Sequence, residues 1–418
     1  MNCVLQLIKI TRNDIIVTHI VFAFAVIMVS ISLISVIFPA LISSHYGSIS
    51  TGIEPFTIGN NAVLLIASNT VLFSLGYVYY KKKSGTFSTL IDKVRNFEIS
   101  KKVSIIASLI ILIVYISFTV SELSIDESEQ FPDYVVLKIG LETFPETSSG
   151  DMIVDEQNSR FVRMILLGFS QEYLQNIKII PFVTSIVLVL VTGLVAVSIS
   201  GKRIAGIIAI IVLLQGYTFL EYDTIAVYEN LWVLFFLLSV YAIHKRWYLS
   251  GFWYILSVFT KAFATPFLAL NVFYALRSEH TRSFKTKILL SYLLSALIVI
   301  GLFYAGNSIY DDIVQFDFNR FANSLSDFSS QMRFDYFLLA TILPVTFGLF
   351  FIARNGLKQA DSLLFFITGL LLAGPLVAFA TEFYVILPYR FVPLLVFFSI
   401  SVGLVIFKTS KSSLKSQQ

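Results

Sequence analysis

The chain has 418 residues, of which 56% are hydrophobic and 13% charged, with a formal net charge of +4. So little polar surface cannot coat a soluble globule of this length, and apolar runs of about 18 to 25 residues recur throughout, so the chain reads as an all-α, polytopic membrane protein. A single cysteine, Cys3, excludes disulfides within the chain, and His19, His45, His244 and His280 share no metal-ligand spacing.

The first apolar run, Ile15 to Ile42, is too long for a signal-peptide core and reads as a retained span. A second span is expected over Asn61 to Tyr80. The loop Lys81 to Lys102 is strongly basic and therefore cytoplasmic by the positive-inside rule. A third span, Val103 to Val120, then delivers Asp126 and Glu127 to the outside. The segment Glu122 to Lys178 is rich in acids, with turn signals at residues 131–133 and 148–150. Within it, Phe161, Ile165, Phe169 and Leu174 fall at near-helical spacing, which predicts an amphipathic helix on the membrane surface over Asn158 to Lys178.

Further spans are expected over Ile179 to Ser198, Ile204 to Leu220 and about Ile225 to Ile243. Tyr248 to Leu276 has basic residues beyond both ends, so it must cross twice or fold back, with its apex near Lys261 to Pro266. At about 1.5 Å per residue it is too short for two upright crossings of a roughly 30 Å core, so a broken hairpin is expected. Spans over Ile288 to Tyr304, Tyr336 to Ala353, Leu363 to Ala380 and Val385 to Phe407 bring the total to about twelve crossings. Most of the 30 Lys and Arg then fall inside and most of the 26 acids outside. This segregation predicts a plasma-membrane protein with both termini cytoplasmic, and it explains the basic residues by topology rather than by nucleic acid.

Three charges are stranded in or near apolar spans: Glu229, Lys261 and Arg390. A charge at mid-helix costs about 2.5 to 3.5 kcal/mol on the insertion scale, so a retained one usually faces a cavity or a partner. The plain alternative is an interfacial charge or a buried pair, Glu229 with Lys261 or Arg390. All three are expected toward the same outer side as Asp126.

The order of these features from Ser100 onward resembles the polytopic C-type glycosyltransferases, which include protein O-mannosyltransferases and the aminoarabinose transferases of lipid A. Asp126-Glu127 is similar to the acidic pair of that family's first outer loop. Tyr222 to Phe236, YDTIAVYENLWVLFF, is similar to the segment where an acid opens the fourth span, with Glu229 in the place usually held by Asp. SVFTKAFATPFLAL resembles the small-residue stretch containing Thr-Lys, and LPYRFVPLLVFF the Arg-Tyr segment of the last core span. Phe391 stands where Tyr is common and Lys178 where Arg often precedes the second span. The resemblance covers residues 101–418, and residues 1–100 form a two-span extension with a basic cytoplasmic linker.

What the resemblance implies is transfer of a sugar from a polyprenyl-phosphate carrier to a lipid, glycan or protein hydroxyl on the outer face, in a single inverting displacement. Asp126 would take the acceptor's proton, and Glu127 or Glu229 would orient the acceptor or hold a divalent ion. Arg390, next to Tyr389, and Lys261 would stabilise the departing phosphate. A secondary transporter or channel, or a non-catalytic membrane assembly subunit, is the alternative. Transporters also build sites from broken helices but usually show two related halves, and no such repeat is visible.

Overall fold

The protein is described by a computed structural model covering residues 12–39, 56–81, 85–144, 160–305, 316–380 and 387–407. Cys3, the turn expected at 148–150 and the basic tail 408–418 lie outside the described residues. Among those described, helices and short 3₁₀ turns are the regular structure and no strand forms. In chain order the helices are α1 (Arg12–Ile37), α2 (Ala62–Lys81), α3 (Thr86–Asn96), α4 (Lys101–Thr119), α5 (Asp133–Thr143), α6 (Phe161–Tyr173), α7 (Ile179–Ser200) and α8 (Arg203–Leu214). They continue with α9 (Tyr217–Glu221), α10 (Leu231–Lys245), α11 (Tyr248–Thr260), α12 (Leu268–Arg277), α13 (Arg282–Ala305), α14 (Phe318–Ser330), α15 (Tyr336–Arg354), α16 (Gln359–Ala380) and α17 (Val392–Ile406).

Eight of these, α1, α2, α4, α7, α13, α15, α16 and α17 with its preceding turn, are long and apolar enough to cross a membrane. Apolar runs become helices there because lipid offers no partner for backbone N–H and C=O groups, and a helix satisfies them internally. Local chemistry sets several ends. Ser100 accepts a hydrogen bond from the Val103 amide and starts α4, and Gly201 closes α7 in the left-handed conformation at φ 70°.

The remaining apolar helices, α8, α10, α11 and α12 with the 3₁₀ turn before it, have 10–17 residues each. At about 1.5 Å per residue none spans a roughly 30 Å core by itself. They are tolerated because they are interior. Trp232, Phe236, Leu237, Val240 and Ile243 of α10 are all buried against α7 and α11. Across the bundle, 83% of the α17 span is buried but only 17% of α2 and α4, so α17 is central and α2 and α4 turn Val63, Ile106 and Ile113 to lipid. Glycines allow the tightest crossing: a methyl on Gly403 of α17 would collide with the Ala205 carbonyl of α8. Helix α1 packs on α14, α15 and α16, and its buried face belongs to the same hydrophobic core as the helices after residue 100.

Tyr248 to Arg277 folds back as a broken hairpin. Ser250 meets Ser239 of α10, Ser257 donates to the Trp232 carbonyl, and Phe263 and Phe267 pack on Trp232; the chain then returns, with Asn271 bonding Ser239 and Tyr274 meeting His244. The break is Lys261, in extended conformation, followed by the 3₁₀ turn Ala262–Phe267 with Pro266 inside it.

These contacts define two ends of the bundle. At one, Asp14 of α1 and Asp361 of α16 meet Arg277 at the close of α12, Asp14 also meets Lys358, and Lys202 meets the backbone after α3. At the other lie Glu127, Arg163, Lys178, Asp223 and Glu229.

Candidate functional site

Between α9 and α10 the chain runs irregularly from Tyr222 to Asn230, and every residue except Tyr228 is buried. Buried irregular backbone must find partners outside itself. Here side chains supply them. The Glu127 carboxylate accepts from the Ala226 amide and, at 3.3 Å, from the Val227 amide. Arg163 of α6 donates from Nη2 to the Val227 carbonyl at 2.8 Å and the Ala226 carbonyl at 3.5 Å. Ser185 donates to the Asp223 carbonyl and Asn230 to that of Tyr222. One peptide segment is thus gripped by a carboxylate on its donors and a guanidinium on its acceptors.

The grip holds Glu229 in place. Its Oε2 lies 3.1 Å from Arg163 Nε, it is 1% exposed, and its Oε1 has no hydrogen-bond partner among the described residues. The alternative of a buried pair of Glu229 with Lys261 or Arg390 holds only in part: the charge is paired, but its ion-pair partner is Arg163, because α6 lies over this segment with its Val162, Arg163 and Met164 side chains buried. Phe161, Ile165, Phe169 and Leu174, the stripe expected against the membrane surface, are exposed. That helix is apolar on more than one side, and the side carrying Val162 and Met164 packs inward.

The two remaining cations converge on Tyr389. Lys261 Nζ sits 3.9 Å from the centre of its ring, and Arg390 Nε donates to its hydroxyl at 3.1 Å. Tyr228 stacks on the Tyr389 ring at 4.5 Å, and its hydroxyl donates to Asp133 at 2.7 Å. Lys261 is buried, and Arg390 Nη1 is buried without a hydrogen-bond partner among the described residues. Glu229, Lys261 and Arg390 are not at mid-helix. They occupy the irregular segment before α10, the break after α11 and the 3₁₀ turn before α17, where the backbone is already interrupted. The span expected from Ile225 therefore begins six residues later, at Leu231.

The two adjacent acids, Asp126 and Glu127, part company. Asp126 is exposed and caps the next turn, accepting from the Ser128 amide at 2.9 Å, which holds its carboxyl below the ordinary range. Burial pushes Glu127 up, against its two backbone amides and the nearby Lys178. Lys178 donates to the Glu122 carbonyl at 3.1 Å, and burial lowers its pKa against the pull of Glu127 and Glu122. Asp223, not singled out by the sequence reading, is 1% exposed; burial raises it to about 8 even though Tyr115 donates to it at 2.6 Å. Arg163, which the sequence does not mark out, is the residue that ties Glu229 to the Ala226–Val227 backbone.

Glu229, Lys261, Tyr389 and Arg390 are brought together, Glu127 supports the same segment, and Asp126 is exposed beside Glu127 with Ser128 as its hydrogen-bond partner. No group of three His, Cys, Asp or Glu able to hold a metal ion occurs among the described residues. Both Glu127 oxygens accept from backbone amides, and Glu229 pairs with Arg163.

The fold and this site define an integral membrane protein of the helical class, with a buried charged centre at one end of its bundle. Comparison of the chain with protein-family models, with curated proteins and with solved structures finds no match.

Proposed function

We propose that the chain is a membrane glycosyltransferase, with about twelve crossings, that moves a sugar from a polyprenyl-phosphate carrier to an acceptor hydroxyl at the outer face of the plasma membrane. The observation that carries this reading is charge imbalance. Arg163 is paired with Glu229, but Lys261 and Arg390 meet Tyr389 and no carboxylate among the described residues, and Arg390 keeps an unpartnered N–H group. Uncompensated buried cations are costly, and an anionic ligand would relieve them. A lipid phosphate at the membrane boundary has the right charge, and the Arg390 guanidinium matches two of its oxygens.

In the transfer, the acceptor oxygen bonds to the anomeric carbon, the bond from that carbon to the phosphate oxygen breaks, and the carrier phosphate leaves with the electron pair. Lys261 and Arg390 stabilise that charge. The acceptor proton goes to Asp126, an exposed carboxylate held in its ionised form. Glu127 keeps the Ala226–Val227 backbone in position, and Glu229 fixes Arg163.

The test is conversion of a polyprenyl-phosphate sugar by purified protein in lipid discs. Asp126→Asn keeps size and most hydrogen bonding but cannot take a proton, so turnover falls by about 10² to 10⁴. Unchanged turnover removes Asp126 as the base. No conversion by the wild type with any carrier, together with sugar-phosphate flux across the bilayer, assigns the cation cluster to transport instead.

A further inference from the structure

At the opposite end of the bundle, α3 carries an apolar stripe with no role inside the protein. Leu90, Ile91 and Val94 recur at helical spacing and Phe97 continues the line, while Thr89, Lys93 and Asn96 lie on the other side. Ile91 is half-buried, but Leu90, Val94 and Phe97 are 60%, 48% and 53% exposed. Three large apolar side chains open to water on an eleven-residue helix would be unfavourable, and a helix of this length does not hold its shape alone.

Two observations say what covers the stripe. The first is depth. The Tyr79 hydroxyl at the end of α2 donates to Asp92 at 2.8 Å and accepts from Arg95 at 3.2 Å. Lys202, buried in the turn between α7 and α8, donates to the Arg95 and Phe97 carbonyls at 3.1 and 3.4 Å, and the Arg203 amide donates to Glu98 at 3.1 Å. These bonds fix α3 to the ends of α2, α7 and α8, and α4 begins at Lys101 directly after it, so α3 lies at the level where membrane-crossing helices surface. The second is charge. In sequence, residues 81–102 carry Lys81, Lys82, Lys83, Lys93, Arg95, Lys101 and Lys102 against two acids, Asp92 and Glu98.

We propose that α3 is a lipid-binding helix lying in the headgroup layer. Leu90, Val94 and Phe97 enter the acyl boundary, and the flanking lysines hold the phosphates of anionic lipids. An apolar stripe bordered by basic residues, parallel to the membrane plane, is the pattern of interfacial helices. A basic segment next to a membrane span favours anionic over zwitterionic headgroups. Because the backbone after α3 is bonded to Lys202, lipid seated there also steadies the α7–α8 turn.

The test uses the full chain with Cys3→Ser and a single cysteine in turn at Leu90, Val94, Thr89 and Leu109, carrying a polarity-sensitive fluorophore, in discs holding one chain. Leu109 is the lipid-facing reference on α4. With brominated anionic lipid, quenching at Leu90 and Val94 reaches about half that at Leu109 or more and stays weak at Thr89. In zwitterionic discs quenching at Leu90 falls by about twofold, and Lys93→Gln with Lys101→Gln and Lys102→Gln reproduces that fall in anionic discs. Quenching at Leu90 no stronger than at Thr89 overturns the proposal. So does quenching indifferent to headgroup charge. Shielding of Leu90 from an aqueous quencher only when two chains share a disc assigns the stripe to a second copy and also overturns it.

Discussion

The two ends of the bundle bury charge in opposite ways. At the basic end Asp361, fully buried, is met by Arg277 and by Thr18 at 2.9 Å, and Asp14 is met by Arg277 and Lys358, each at 2.8 Å. Two acids face two bases, and the network ties α1, α12 and α16 together. At the acidic end Glu229 is paired with Arg163, but Lys261 and Arg390 meet Tyr389 and no carboxylate, and polar atoms of Glu229 and Arg390 lack hydrogen-bond partners among the described residues. A balanced network holds helices in place, whereas an unbalanced one stores a demand for an anion.

The largest effect expected from breaking this contrast is at Arg163. Arg163→Met leaves Glu229 buried without its counter-charge and frees the Ala226–Val227 carbonyls, at a cost of about 3–5 kcal/mol, seen as a fall in melting temperature of the purified protein. Adding Glu229→Gln removes the lone buried charge and recovers more than half of the lost stability, while transfer stays absent. A double variant no more stable than Arg163→Met would mean that the backbone grip, not the ion pair, is what matters.

Arg390→Lys tests the imbalance itself. Its Nη1 has no protein partner, so melting stays near wild type, but transfer falls by about 10²–10³ through loss of the paired donors. A large drop in melting temperature with normal turnover would make Arg390 a structural residue like those at the other end. There, Asp361→Asn leaves Arg277 half-paired and costs about 1–3 kcal/mol, with turnover per folded molecule unchanged. Lost turnover at intact stability would end the contrast.

The smallest effect concerns pH. Burial raises Asp223 to about 8 in the folded chain, while the unfolded chain keeps the ordinary value of 3.8. The folded state therefore holds a proton that the unfolded state releases, and the stability present below pH 4 is lost as the pH rises toward 8. Asp223→Asn flattens this decline in melting experiments across that range. A slope unchanged by the substitution would place the proton elsewhere.

Much of the fold was legible because lipid is a severe solvent. Long apolar runs could only be helices, and the basic flanks of Tyr248–Arg277 required the chain to return where it started, as the contacts of Ser250, Phe267 and Tyr274 with α10 record. The candidate site was legible in part. Glu229, Lys261 and Arg390 stood out because charge is expensive beside apolar residues, and Lys261 was expected at the apex of the hairpin, but the placement of Glu229 and Arg390 at helix breaks was not legible, since hydropathy averages over the few residues where a helix is interrupted.

The sequence by itself determined the helical membrane class and the identity of the stranded ions, both consequences of one-body transfer costs that each residue carries wherever it sits. Only the tertiary structure decided that Arg163 is the partner of Glu229, that Glu127 turns inward to two backbone amides while Asp126 turns out, and that Asp223 is sealed beside Tyr115. Those are pairwise energies between groups some 60 to 110 positions apart in the chain, on helices with more than one apolar face. No local pattern records which face packs inward, so no local pattern names the partner.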